Sequence, residues 1–134
     1  MRLMVKTSII LNQSEMKKTV VIGASVNPER YSNMAVRRLK KYGHDVIAIG
    51  LKEGEIDGVK IQTGHPDIPG VDTITIYVNE KNQPDLGDYI LSLKPKRVIF
   101  NPGAENEKLE KRFSETGIEI EEACTLTLLS TGQY

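Results

Sequence analysis

The feature that most constrains this chain is a repeated alternation. Short apolar, often β-branched runs are interleaved with loops and helix-compatible stretches. Thr19-Val20-Val21-Ile22 is the first run, with no polar face to turn toward water, as in a strand buried on both sides. A loop over 23–28 follows. Ser32 or Asn33 is placed to cap a helix running to Tyr42, with Ala35, Val36 and Leu39 on its apolar face, and Gly43 stops it. Val46 to Ile49 is a second strand, 53–58 a polar turn and 59–61 a short third strand. A strong strand is expected over 74–78. Pro84 suits the first turn of a helix ending near Leu93. Arg97 to Phe100 is the next strand, broken by Asn101-Pro102-Gly103. A helix over 105–115 turns Leu109 and Phe113 inward, a last strand covers 118–120, and a short helix starts near Cys124.

Strand–helix alternation of this kind implies a mainly parallel sheet covered on both faces. Right-handed crossovers make it a doubly wound α/β three-layer sandwich. The 134 residues amount to one domain. We expect that domain over 17–134, preceded by an arm over 1–16 that is disordered or adds an edge strand. In the arm, Ile9-Ile10-Leu11 falls far short of the roughly 20 apolar residues of a membrane span. No signal-peptide pattern is clear, so a cytoplasmic protein without membrane attachment is expected.

Composition narrows the function. Eighteen basic residues balance eighteen acidic ones, which argues against a nucleic-acid coat but leaves room for a local anion site. A single cysteine excludes an internal disulfide and a multi-cysteine zinc site.

In an open parallel sheet, ligands bind beyond the carboxyl ends of the strands, where strand order reverses. The most informative loop there is Gly23-Ala24-Ser25. It lies between a strand and a helix whose first N–H groups suit a phosphate. The full dinucleotide fingerprint is missing. No Gly-x-Gly-x-x-Gly is present in this loop, and the second strand ends Ile49-Gly50-Leu51-Lys52 with no acid to hold a ribose. Lys52 suits an extra phosphate, or is a solvated turn lysine. Asn79 and Asn101 end strands at the same edge, as ligand contacts or plain turn formers. Cys124 has no histidine expected beside it and reads as packing rather than as a nucleophile. His44 belongs to the opposite edge, and His65 to a Gly-His-Pro loop away from that thiol.

The segment Val20-Val21-Ile22-Gly23-Ala24-Ser25, continued by Asn27-Pro28-Glu29-Arg30-Tyr31-Ser32, resembles the opening of the small stand-alone CoA-binding proteins. Their domain also forms the nucleotide-binding part of the succinyl-CoA synthetase α subunit. Tyr42-Gly43-His44-Asp45-Val46, Ile56-Asp57-Gly58, Ile68-Pro69 and the approach to Cys124 follow the family's order, so the likeness spans about residues 17–128. The resemblance implies a Rossmann-like fold that binds coenzyme A. Since the sequence offers no catalytic constellation, we expect a module that binds CoA or an acyl-CoA without catalysis. The contacts implied by the resemblance are Gly23, Ala24, Ser25, Pro28, Arg30, Tyr31, Ser32 and Asn33 on the first loop and helix start. Gly50 and Lys52 follow the second strand, Val78 and Asn79 lie on the middle edge, and Asn101, Pro102 and Gly103 complete the set. Ile49-Gly50-Leu51 stands where the family usually has Val-Asn-Pro. Asn101-Pro102-Gly103 replaces its Gln-x-Gly, with Ile99 for the preceding Trp. Two other readings stand beside this one: a small NAD(P)-linked enzyme or redox sensor, and an interaction protein that has lost its nucleotide.

Overall fold

The computed structural model describes residues 15–134, so the expected arm over 1–16 lies almost wholly outside the described residues. The described residues form seven strands and four α-helices: β1 Thr19–Ile22, α1 Tyr31–Lys41, β2 Val46–Ile49, β3 Gly54–Ile56, β4 Val59–Gln62, β5 Thr73–Ile76, α2 Leu86–Leu93, β6 Arg97–Phe100, α3 Glu107–Glu115, β7 Glu119–Glu122 and α4 Thr125–Ser130. Helices and strands alternate except over β2–β5. They form one sheet of order β3-β4-β2-β1-β5-β6-β7. Every pairing is parallel except β3 with β4. The order runs outward from β1 in both directions, so the fold is the Rossmann-like doubly wound sandwich. Its reversal point lies between the carboxyl ends of β1 and β5.

The central strands are apolar throughout because each face has its own helical layer. Val20, Ile22, Ile74, Ile76, Val98 and Phe100 pack with Leu86, Ile90 and Phe113 from α2 and α3. Val21, Ala48 and Ile61 pack on the other side with Val36 and Leu39 of α1 and Leu129 of α4. β1, β5 and β6 are buried along their whole length.

Several boundaries differ from the sequence expectation. The expected polar turn over 53–58 contains β3, whose antiparallel pairing with β4 pivots on Asp57 and Gly58. Both turn residues have positive φ, +49° and +86°, the geometry of a two-residue hairpin turn. Neither Ser32 nor Asn33 caps α1. Arg30 is the N-cap, and both candidates lie buried inside the first turn. β5 ends at Ile76, releasing Tyr77 and Val78 into the site loop. α2 starts at Leu86, two residues after Pro84. α3 starts at Glu107, capped by the Asn106 side chain, which accepts the Leu109 N–H at 3.2 Å.

The edge opposite the reversal point is closed by buried polar groups. The Arg97 Nε donates to Thr73 Oγ1 at 3.2 Å, and Nη1 pairs with Glu121 at 3.0 Å. Its guanidinium also lies over the Tyr134 ring at 4.4 Å. The Tyr134 hydroxyl bonds Thr19 Oγ1 at 2.6 Å, and its ring packs on His44. The Nδ1 of His44 accepts the Lys17 backbone N–H at 3.0 Å, which requires a neutral acceptor nitrogen. Burial, then the Lys17 and Arg97 cations, hold the His44 pKa below its ordinary value, against a smaller opposing pull from Asp72. The unfolded chain therefore binds the proton more readily. This contribution to stability is complete above about pH 6.5 and is lost as pH falls through the lowered folded value. Thermal melts between pH 7.5 and 5 are expected to show a falling midpoint. His44→Asn should flatten that dependence, and an unchanged slope in the variant would remove His44 from the account.

Candidate functional site

The Gly23 turn sits at the reversal point, and the sheet itself holds it. The N–H groups of Gly23 and Ala24 both donate to the Ile49 carbonyl at 2.9 Å. Gly23 takes φ +96°, and a Cβ there would stand 3.0 Å from Val78 Cγ1. Gly50 faces this turn so closely that a Cβ would lie 2.3 Å from the Ala24 carbonyl oxygen. Two glycines thus let three strand ends converge.

Beyond the turn, residues 25–30 are braced from below. The Asn33 Nδ2 donates to the Ser25 carbonyl at 2.9 Å, while its Oδ1 accepts from Arg37 Nε at 2.8 Å. Ser25 Oγ accepts the Asn27 N–H at 3.1 Å, and Asn27 Oδ1 accepts the Glu29 N–H at 3.0 Å. The brace delivers the start of α1 with no side-chain cap and no acidic residue in its first turn. The Tyr31, Ser32 and Asn33 N–H groups precede the first intrahelical bond, from Met34 to Arg30. Arg30 is exposed at the cap position, Pro28 lies on the loop rim and Lys52 is exposed after β2. Free N–H groups, the helix dipole, the cap residue Arg30 and Lys52 after β2 offer this edge donors and cations suited to phosphate.

On the α2 face of the same turn lies a mostly apolar cavity of about 220 Å³. Ile22, Gly23, Gly50, Leu51 and Val78 contribute from the strand ends, and Leu86 and Tyr89 from α2. His65 lies here as well, although its Gly-His-Pro loop is not among the loops expected at the ligand edge. The loop after β4 carries it to the cavity, where its ring stacks on Tyr89 at 4.4 Å and 9°. The Tyr89 hydroxyl donates to the Pro66 carbonyl at 2.6 Å, and burial raises its pKa to about 12. Sequence reasoning missed His65, Leu86 and Tyr89, since nothing local marks a helix residue as meeting a loop 24 positions earlier. His44, by contrast, is at the opposite edge, as expected.

The remaining expected contacts divide. Val78 lines the cavity, and Asn79 is exposed beside it. Pro102 and Gly103 are exposed on the rim, where the Gly103 N–H donates to Glu105 at 2.9 Å. The Asn101 side chain turns inward and is 2% exposed. Its Nδ2 donates to Thr75 Oγ1 at 2.6 Å and to the Ile76 carbonyl at 2.9 Å, and its Oδ1 accepts the Thr125 N–H at 2.9 Å. Asn101 therefore ties the sheet to the start of α4. Gln83 plays a similar part that the sequence did not signal. Its Nε2 donates to the Val78 and Ala104 carbonyls at 2.7 and 3.0 Å.

Burial raises the Cys124 pKa, but hydrogen bonds from Thr127, and then from the Leu126 N–H, bring it below the usual thiol value. Tyr77 Oη is buried nearby without a partner in hydrogen-bonding geometry, and burial pushes its pKa up. No group of three or more His, Cys, Asp or Glu residues among the described ones could hold a metal ion. None of their helices is long and apolar enough to cross a membrane.

A 53% identical crystal structure of an uncharacterized protein superposes with a TM-score of 0.86, covering 89% of this chain and 98% of that one. The uncharacterized protein YneT of Bacillus subtilis (strain 168) is 24% identical over 102 residues, 75% of this chain and 76% of its own length. A dinucleotide-forming acetyl-coenzyme A synthetase from Ca. Korarchaeum cryptofilum, solved with phosphate and ADP, shares the fold at a TM-score of 0.64 and 21% identity. The match covers 87% of this chain and 28% of the synthetase. A family model for a CoA binding domain matches residues 17–130, which span the Gly23 turn, the start of α1 and the cavity. With nearly the whole described fold inside that match, the chain belongs to the CoA binding domain family.

Proposed function

We propose that this chain binds coenzyme A or an acyl-CoA and works as a ligand-binding or regulatory module without turnover. One observation carries the reading: an apolar ring-sized cavity and an acid-free helix start lie on either side of the Gly23 turn. A ligand with an aromatic base and phosphates uses both at once. The cavity is smaller than the roughly 300–1,000 Å³ of sites that enclose a drug-sized ligand, so it takes one ring system and leaves the rest along the rim. The phosphates then meet the α1 N–H groups, Arg30 and Lys52.

The end of β2 favours this ligand over NAD, since Gly50-Leu51-Lys52 offers no carboxylate for a ribose; NADPH, whose extra phosphate Lys52 also suits, is the competitor to be separated by titration. The reading without turnover is supported by the hydrogen bonds at Cys124, which come from Thr127 and the Leu126 N–H, neither of them a general base.

Calorimetric titration with CoA, an acyl-CoA and NADPH tests the proposal. CoA at 100 times its Kd should stabilise the fold by about 2.7 kcal/mol. Gly23→Val should remove binding, because its side chain needs the space beside Val78 and its backbone resists φ +96°. No response at millimolar CoA, or a clear preference for NADPH, would overturn the assignment.

A further inference from the structure

Among the described residues, four large apolar side chains are exposed: Met16, Val26, Tyr31 and Leu51. Three of them lie on the rim of the candidate site. Val26 and Tyr31 belong to the loop and helix start after β1, and Leu51 lies two residues beyond the end of β2. Isolated exposed leucines are ordinary, but a concentration at one functional edge is informative. Leu51 is the extreme case, being 97% exposed while also lining the cavity.

Its backbone base is firmly tied. The Gly50 N–H donates to the Gln62 carbonyl at 2.9 Å, and Ile49 holds the two N–H groups of the Gly23 turn. Gly50 itself is packed too closely against Ala24 to accept a Cβ. A tied base therefore presents an apolar tip to water at the mouth of an apolar cavity. Such a side chain adds almost no packing to the free protein. It gains a contact surface only when a ring occupies the space bounded by Gly23, Gly50, Val78 and the His65–Tyr89 stack.

We propose that Leu51 is a specificity-determining lip that closes over the nucleobase end of the bound nucleotide. The proposal rests on the nucleotide reading above and assigns a role to a position where this chain departs from the usual Val-Asn-Pro. It also predicts which half of the ligand senses the residue. The adenosine half lies under the lip, whereas the pantetheine half lies along the rim and makes no use of it.

The test is calorimetry of CoA binding to the wild type, Leu51→Ala and Leu51→Met at several temperatures. Leu51→Ala should bind CoA about tenfold more weakly, since most of a leucine's burial is lost. Its binding heat capacity change should be less negative. Leu51→Met should stay within twofold of the wild type. All three free proteins should melt at the same temperature, which a packing role would not allow. The bisphosphorylated adenosine half of CoA should show the same tenfold loss, and phosphopantetheine none. Equal CoA affinity of wild type and Leu51→Ala would overturn the lip and leave the CoA assignment standing. So would a loss confined to phosphopantetheine, or a change limited to self-association in sedimentation. A wild type that binds no nucleotide overturns both.

Discussion

Gly50→Ala is expected to lower the unfolding free energy by about 2–3 kcal/mol and to remove CoA binding with it. The new Cβ would stand 2.3 Å from the Ala24 carbonyl oxygen, a backbone atom, and 3.0 Å from Ile61 Cγ2. Neither neighbour yields easily. Ala24 is fastened through its own N–H to Ile49, and Ile61 is core. The backbone would have to separate β1 from β2 at the point where the ligand loop begins. Gly64→Ala is the useful contrast. Nothing lies within 4 Å of its Cβ position, so only its φ of +76° opposes the change, at a cost of about 1 kcal/mol. Urea unfolding midpoints should place Gly50→Ala well below Gly64→Ala. The reverse order would contradict the proposed packing of the two site loops.

Asn101→Leu is expected to cost about 2–4 kcal/mol despite the near-equal volume. The substitution leaves the Thr125 N–H without its acceptor and the Ile76 carbonyl without the side-chain donor, both inside the fold. Thr75 loses one partner but keeps its 2.7 Å bond to the Thr125 hydroxyl. Hydrogen exchange should locate the damage, with the Thr125 amide and the start of α4 losing protection first. The same variant separates two roles for this residue. A side chain devoted to ligand would leave urea stability unchanged and weaken CoA binding alone. That result would return Asn101 to the binding surface.

The sheet was legible because its inner strands are buried on both faces. Thr19–Ile22 and Arg97–Phe100 declare themselves as short runs that helices must cover. Strand β3 of the β3–β4 hairpin was not. Gly-Glu-Ile sits at an edge where only Ile56 is buried, so its composition reads as a turn. The α1 boundary was misplaced for a tertiary reason. Asn33 has the chemistry of a cap, but its amide is committed to Ser25 and Arg37. The Gly23 turn could be identified from local signals, since it needs only a glycine between a strand and a helix. The His65–Tyr89 wall could not, since it exists only once α2 crosses the sheet. Asn101 shows a further limit: a strand-end asparagine has one sequence signature whether its amide faces ligand or core.

The strand order also sets a timetable for synthesis. Thr19 pairs with Val46, 27 residues later, and with Thr73, 54 residues later. At roughly 5–20 residues per second, the second partner of Thr-Val-Val-Ile arrives about 3–11 seconds after the strand is made. During that interval an apolar strand edge is open, with neither a charge nor a proline inside it to deter pairing with another chain. The strand that forms the base of the ligand loop is therefore a point of aggregation risk for the nascent protein. Slowing translation before β5 would lengthen the exposure.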